Sequence, residues 1–277
     1  MQAEAPHLVR MGPEHLDGAM ALSLAERWPH RREDWELILS QSQGVVAIDG
    51  QQVVATAIAI PFGSVATLGM ILVDRRLRGR GLGRRVVEHA MAQLAPREWR
   101  LVATPEGLPL YRKLGFEPCG EVQQHQGLAR AAPGHLPEDW AGNADAPDLA
   151  VLDEAATGMD RSWLMEALLR DGRALIQRER GEVVAFAAHR RFGRGDLVGP
   201  LVARSETEAR AMLGMLLNVS AGRFLRVDLT DDGIGLSPFL TEHGLEPVGT
   251  GTMMRRGRAQ PIRGAHHRYA LVAQALG

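Results

Sequence analysis

The chain repeats itself once, and a repeat of this length limits the folds open to it. Leu114-Gly115-Phe116-Glu117-Pro118 returns as His243-Gly244-Leu245-Glu246-Pro247, with the two prolines 129 residues apart. Gln52-Val53-Val54-Ala55-Thr56 returns as Glu182-Val183-Val184-Ala185-Phe186, 130 residues on. The same shift carries Phe62-Gly63 onto Phe192-Gly193 and Gly69 onto Gly199. Points that keep one register over such a span imply duplication of a whole domain. The period is far too long for a solenoid, whose units run to roughly 20–50 residues. Two domains also suit a length of 277 residues.

The first copy carries a feature that the second lacks. An apolar run, Thr67 to Val73, leads into Arg78-Gly79-Arg80-Gly81-Leu82-Gly83, and a helical run from Arg84 to Leu94 follows. A strand feeding a glycine loop that opens a helix leaves backbone N–H groups unpaired at the helix N-terminus. The helix dipole adds partial positive charge there, which suits a phosphate or pyrophosphate. Shifted by 130, the loop becomes Glu208-Ala209-Arg210-Ala211-Met212-Leu213, with every glycine gone. Ser205 followed by Glu208 reads as a capping box, so this second helix satisfies its own N-terminal donors. A dinucleotide fingerprint starting at Gly79 needs glycine where Arg84 stands, and no Walker A loop is present.

Composition excludes several classes. A net charge of −1 makes the arginines around the loop a local cluster rather than a nucleic-acid face. No apolar run approaches the ~20 residues that span a bilayer. The start, Met1-Gln2-Ala3-Glu4-Ala5-Pro6-His7, lacks a signal-peptide pattern, and a single cysteine fits a reducing compartment, so a cytoplasmic location is expected. Cys119 is expected as a buried thiol rather than a nucleophile. The ten histidines show no metal-ligand spacing, so no metal is expected, and His266 and His267 are placed at the surface.

The pattern divides into residues 1–130, a Pro-, Gly- and Asp-rich linker over 131–147, and residues 148–277. In the first part we read a strand at Leu8–Arg10, helices at Pro13–Ala25 and Arg32–Ser40, and strands at Gly44–Ile48 and Val53–Ile60 joined by an Asp49-Gly50 turn. The loop strand and helix come next, then a strand at Arg100–Ala103, a short helix to Leu114 and a last strand. The second part repeats this order, starting with a helix from Asp160. Asp153 and Asp160 read as N-caps, and Tyr269 to Leu276 reads as a short terminal helix.

The spacing Arg78-x-x-Gly81-x-Gly83, within Ile71 to Gly83, resembles motif A of the GNAT superfamily of acyl-coenzyme A-dependent N-acyltransferases. Pro109 to Phe116 resembles the family's second marker. Gly199-Pro200-Leu201-Val202 and Arg226-Val227-Asp228 resemble the second half of a bacterial GNAT group that carries a divergent second domain. The resemblance implies tandem α/β folds, each a mixed and mostly antiparallel sheet flanked by helices. It implies acetyl-CoA as cosubstrate, with pantetheine held by the backbone of Ile71, Leu72 and Val73. Pyrophosphate would be cradled by Gly79, Arg80, Gly81, Leu82, Gly83 and Arg84, with charge from Arg78. Tyr111 matches the family acid that protonates the leaving sulfur, a role suited to a phenol of pKa near ~10. Thr104 caps the short helix or bonds the coenzyme, and capping is favoured.

Glu33, Asp34 and Glu106 are open candidates for a base acting through water, and a water chain alone is the alternative. Trp28 walls an acceptor pocket or packs in the core. Asp228 reaches substrate or forms a cap or salt bridge. The expected activity is N-acetylation of a small amine or amino acid, with the second domain closing over the pocket. Acetylation of protein N-termini or lysines, and a non-enzymatic coenzyme sensor, are the alternatives. One coenzyme site per chain is expected, in the first half.

Overall fold

The computed structural model describes residues 5–95, 97–136, 139–262 and 264–277. Met1–Glu4 and, within the expected linker, Pro137 and Glu138 lie outside the described residues. The first half runs β1 (His7–Arg10), α1 (Leu16–Ala25), α2 (Arg32–Ser40), β2 (Gln43–Asp49), β3 (Gln52–Phe62), β4 (Val65–Val73), α3 (Leu82–Ala92), β5 (Glu98–Ala103), α4 (Leu108–Lys113) and β6 (Glu117–Leu128). The second runs α5 (Ala146–Thr157), α6 (Ser162–Asp171), β7 (Gly172–Glu179), β8 (Glu182–Phe192), β9 (Gly195–Ala203), α7 (Glu206–Val219), β10 (Phe224–Leu229), α8 (Ser237–Glu242), β11 (Glu246–Arg256) and β12 (His267–Ala270). The duplication is visible in the elements: β3 and β8 are both 11 residues long and β4 and β9 both 9.

The strands form one sheet in the order β1-β2-β3-β4-β5-β11-β6-β10-β12-β9-β8-β7. The strand after the short helix in each half, β6 or β11, sits in the territory of the other. β11 pairs antiparallel with β5, and β6 pairs antiparallel with β10. β6 and β11 pair with each other at the centre, so neither half completes its sheet alone.

β3 shows how the sheet is covered. Its run from Val54 to Ile60 is buried throughout, as expected of a strand with helices on both faces. Side chains alternate across a strand. Ile58, Ile60 and Phe62 join a core shared with α1, α2, α5 and α6, while Ala55, Ala57 and Ala59 face α3. The shared core holds both halves together, and Phe62 stacks on Trp163 at 5.8 Å and 7°. The Asp49-Gly50 turn is as expected, with Gly50 at φ 60°.

Several expectations are corrected. A helix, α5, begins at Ala146 and ends at Gly158 in the left-handed region (φ 69°), before the helix expected from Asp160. Pro147 in its first turn and Gly158 at its end were its signals, obscured by the turn-rich segment before it. Asp153 is therefore inside a helix rather than at an N-cap. Its carboxylate is fully buried and held by Arg161 at 2.6 and 2.7 Å. Asp160 does accept from Ser162 N, at 3.2 Å.

The expected terminal helix from Tyr269 is instead the end of β12 followed by a tight turn, with Gly277 N bonded to Ala273 O at 3.0 Å. A short apolar run has no periodicity to separate helix from strand, and free strand edges at β9 and β10 decide the outcome. Cys119 is exposed, not buried. His267 is exposed as expected, while His266 is partly buried against Val184 O.

Arg161 also donates to Leu276 O at 2.9 Å and to Gly277 O, so this buried pair anchors the tail. Removing one partner of a buried pair leaves an uncompensated charge. Asp153→Ala is expected to lower the unfolding free energy by about 3–5 kcal/mol in urea titrations. A loss below about 1 kcal/mol contradicts this role for the pair.

Candidate functional site

The loop after β4 is built to leave donors free. Asp74 caps a single 3-10 turn at Arg75–Leu77, accepting from Arg76 N at 2.9 Å. Gly79 and Gly81 then take φ of 77° and 79°, a conformation that glycine alone adopts without strain. A Cβ at either would meet nothing within 4 Å, so the space in front of the loop is open. Gly81 is the N-cap of α3 and supplies no side-chain cap. The first intrahelical bond is Arg85 N to Gly81 O at 3.1 Å, leaving the amides of Leu82, Gly83 and Arg84 without helical partners. In the second half Ser205 Oγ accepts from Glu208 N at 3.2 Å, and Glu208 accepts from Arg204 N at 2.9 Å. The expected contrast between an open and a self-capped helix start is present.

A second contrast lies in the sheet. β4 and β5 pair in parallel only at Val65–Thr67 with Glu98–Arg100, then part. Met70, at φ 51°, marks an irregularity in β4, and its carbonyl accepts from Thr56 Oγ1 at 2.6 Å. A cavity of about 980 Å³ runs from the loop amides along Leu68–Val73 to Tyr111. β9 and β10 likewise pair at Asp196–Val198 with Leu225–Val227 and then part. There β12 fills the gap, pairing with Leu201–Ala203 on one side and Leu229 on the other. The slot that is open in the first half is closed in the second by the chain's own strand.

The cavity brings together Trp28, Ile71, Leu72, Val73, Arg78, Gly79, Gly81, Leu82, Gly83, Arg84 and Tyr111. Arg80 is exposed and is not among the lining residues. Arg78 does not point freely at the loop: it donates to Val73 O at 3.1 Å and pairs with Glu26 at 2.6 Å. The hydrogen bond from Arg75, with the charge of Arg78, holds the Glu26 carboxyl below its usual range. Arg84 pairs with Glu88 on the solvent side at 2.8 Å. Tyr111 is buried on α4 with Phe116 edge-on at 6.1 Å, and burial pushes its phenol pKa up, so it keeps its proton. Thr104 Oγ1 accepts from Gly107 N at 3.3 Å in the turn that leads into α4, and Thr104 also lines the cavity.

One end of the cavity is made by both halves. Trp28 and His30 from the α1–α2 loop face Phe192, Arg194 and Arg226 of the second half. Asp228 is fully buried and does not line the cavity; its carboxylate grips Arg226 at 2.6 and 2.9 Å, so the salt-bridge alternative holds. Asp34 is buried too, bonded by Arg31 (2.9 Å), Gly193 N (3.2 Å) and Arg190 (3.4 Å). Burial acts to raise its pKa, but the arginines prevail and hold it down, so it is a tie between halves rather than a base. Glu33 is exposed and away from the cavity, whereas Glu106 lines it. Sequence reasoning missed Gln274 and Ala275, which also line it, because their place depends on where the tail docks.

His30 lies 5.4 Å from Phe192 and 5.8 Å from Trp28, and burial lowers its pKa from 6.5 to about 4. The folded value is below the unfolded one, so the unfolded chain binds the extra proton between them. This contribution is complete above the unfolded value and is lost as pH falls toward the folded one. Between about pH 7.5 and about pH 5, His30→Gln is expected to lose about 1–2 kcal/mol less unfolding free energy than the parent. Equal losses contradict a buried neutral ring.

Comparisons agree with this geometry. Two acetyltransferase (GNAT) domain models match, one over residues 40–118 and one over 149–270. The chain is 28% identical to the uncharacterized N-acetyltransferase YitH of Bacillus subtilis, covering 98% of each. It is 26% identical to the holothin acyltransferase of a Pseudoalteromonas species, covering 88% of each. A solved acetyltransferase structure from Pyrococcus horikoshii superposes with a TM-score of 0.81 at 20% identity, covering 100% of this chain and 98% of that one. The chain belongs to the GNAT acetyltransferases and is an acyltransferase with two family domains in tandem.

Proposed function

We propose that the chain moves an acetyl group from acetyl-CoA to the primary amine of a small molecule or amino acid, by direct attack within a ternary complex. Residues 1–130 form the catalytic half, 131–147 the linker, and 148–277 a half that keeps the fold but has no coenzyme site. One paired observation carries this reading: α3 starts uncapped beside an open slot, while α7 is capped beside a filled one. The three free amides at Leu82–Arg84 and the open space at Gly79 and Gly81 fit a pyrophosphate, with Arg80 adding charge nearby. The edge of β4 from Leu68 to Val73, unpaired on its β5 side, fits the pantetheine amides. Val73 O accepts from Arg78 and keeps a second lone pair for a pantetheine amide.

The amine attacks the thioester carbonyl, the C–N bond forms, and the C–S bond breaks as the thiolate leaves. Tyr111 donates its proton to that sulfur as the bond breaks. Its raised pKa keeps the phenol protonated until then. The proton lost by the amine leaves through water. Among the described residues, Glu26 and Glu106 are the carboxylates lining the cavity. Arginines occupy Glu26, which leaves Glu106 to take up the proton. A small acceptor is favoured over a protein chain because the second half walls the acceptor end with Phe192, Arg194 and Arg226. The name of the holothin acyltransferase relative points the same way. The single cysteine fits a cytoplasmic setting.

Isothermal titration with acetyl-CoA is expected to give one site per chain, and two sites contradict the closed second slot. Gly81→Asp places bulk and negative charge at the loop and is expected to weaken binding by at least ~100-fold; retained affinity contradicts the placement. Tyr111→Phe is expected to lower kcat on the order of 10²-fold in thiol-release assays, as for loss of a general acid. An unchanged kcat removes Tyr111 from the reaction.

A further inference from the structure

Resting on that reading, we propose that the acceptor amine also carries a carboxylate, which docks on Arg226 at the second-half wall of the cavity. Arg226 lies on β10 with its side chain 11% exposed. Nε and Nη2 are taken by Asp228, which fixes the guanidinium plane and leaves Nη1 without a partner among the described residues. Phe192 lies 5.4 Å from the same guanidinium and restricts it further. A fixed planar fork with a free edge suits a carboxylate.

The neighbouring strand supplies a second donor. Arg226 stands opposite Gln126, and Asp228 opposite Gln124, in the β6–β10 register. The amides are oriented by one another: Gln124 Nε2 donates to Gln126 Oε1 at 3.2 Å, and Gln274 Nε2 to Gln124 Oε1 at 3.4 Å. Gln126 Nε2 is then the donor left over, across from Arg226, and both residues line the cavity. Two donors on paired strands make a site for one carboxylate.

Charge supports the sign. Arg194 lines the same wall as Arg226. At His30, burial first, then the charges of Arg226 and Arg190, oppose protonation, against the opposite pull of Asp34. The partial neutralisation of Arg226 by Asp228 suits a single negative charge. The wall is also connected to the reacting end. Gln274 is followed by Ala275, whose Cβ lies 2.5 Å from where a Cβ on Gly69 would be, at the start of the β4 slot. The tail residues Gln274 and Ala275 thus join the Arg226 wall to the β4 slot within one cavity.

Thiol release from acetyl-CoA is measured with matched pairs, each amino acid against the amine it becomes on decarboxylation. The set includes glycine, β-alanine, 5-aminopentanoate, phenylalanine and tryptophan. The best acceptors are expected to exceed their decarboxylated partners at least ~100-fold in kcat/KM. The double variant Arg226→Gln/Asp228→Asn leaves no buried lone charge and is expected to shrink that ratio to within about threefold. The ratio is read within one preparation, so a partly misfolded fraction cancels. Decarboxylated amines that react as well as their partners overturn the inference and leave the acetyltransferase reading intact. A ratio kept by the double variant overturns the assignment to Arg226. No thiol release with any amine overturns the parent reading itself, and this one with it.

Discussion

The pairing of β11 between β5 and β6 is the constraint on which the rest of the structure depends. Each half gives up the strand after its short helix, β6 or β11, and receives the other's. A sheet edge left unpaired at the centre would expose a row of backbone donors and acceptors. The exchange removes that edge and fixes the two halves in one register. It also sets the second half's β10 beside β6, within reach of the cavity that begins at β4. Without the exchange, Arg226 would belong to another site.

The same duplication explains why one half is open and the other closed. Both halves inherit a pair of parallel strands that part after three residues. A gap of that kind must be filled, since buried backbone groups are costly when unpaired. In the second half β12 fills it, and Ser205 and Glu208 complete the helix start. In the first half the glycines at 79 and 81 and the free amides after them leave the work to a ligand. On the proposed reading this is division of labour after duplication: one copy would bind the coenzyme, and the other contributes strands, a wall and a tail.

Local chemistry was legible in the sequence, and long-range placement was not. The Arg78–Gly83 loop and the Ser205 cap could be read directly, because each depends on residues within one helical turn. The Asp49-Gly50 turn was legible for the same reason. The tail from Tyr269 could not be read, since its strand form is dictated by edges on β9 and β10. For Asp34 and Asp228 the sequence left a chemical role open beside a cap or ion pair. Of their buried arginine partners, Arg190 comes from the other half of the chain, and Arg226 lies two residues from Asp228 on the same face of β10. α5 is an intermediate case, with its start and stop signals present but set in a turn-rich stretch.

The central claim is that a diphosphate-bearing thioester docks ahead of α3 and nowhere against α7. Electron density from crystals grown with acetyl-CoA tests it most directly. The account predicts the pyrophosphate against the amides of residues 79–84 and the pantetheine along residues 71–73. Density for the ligand against residues 205–213, or none at 79–84, would contradict it.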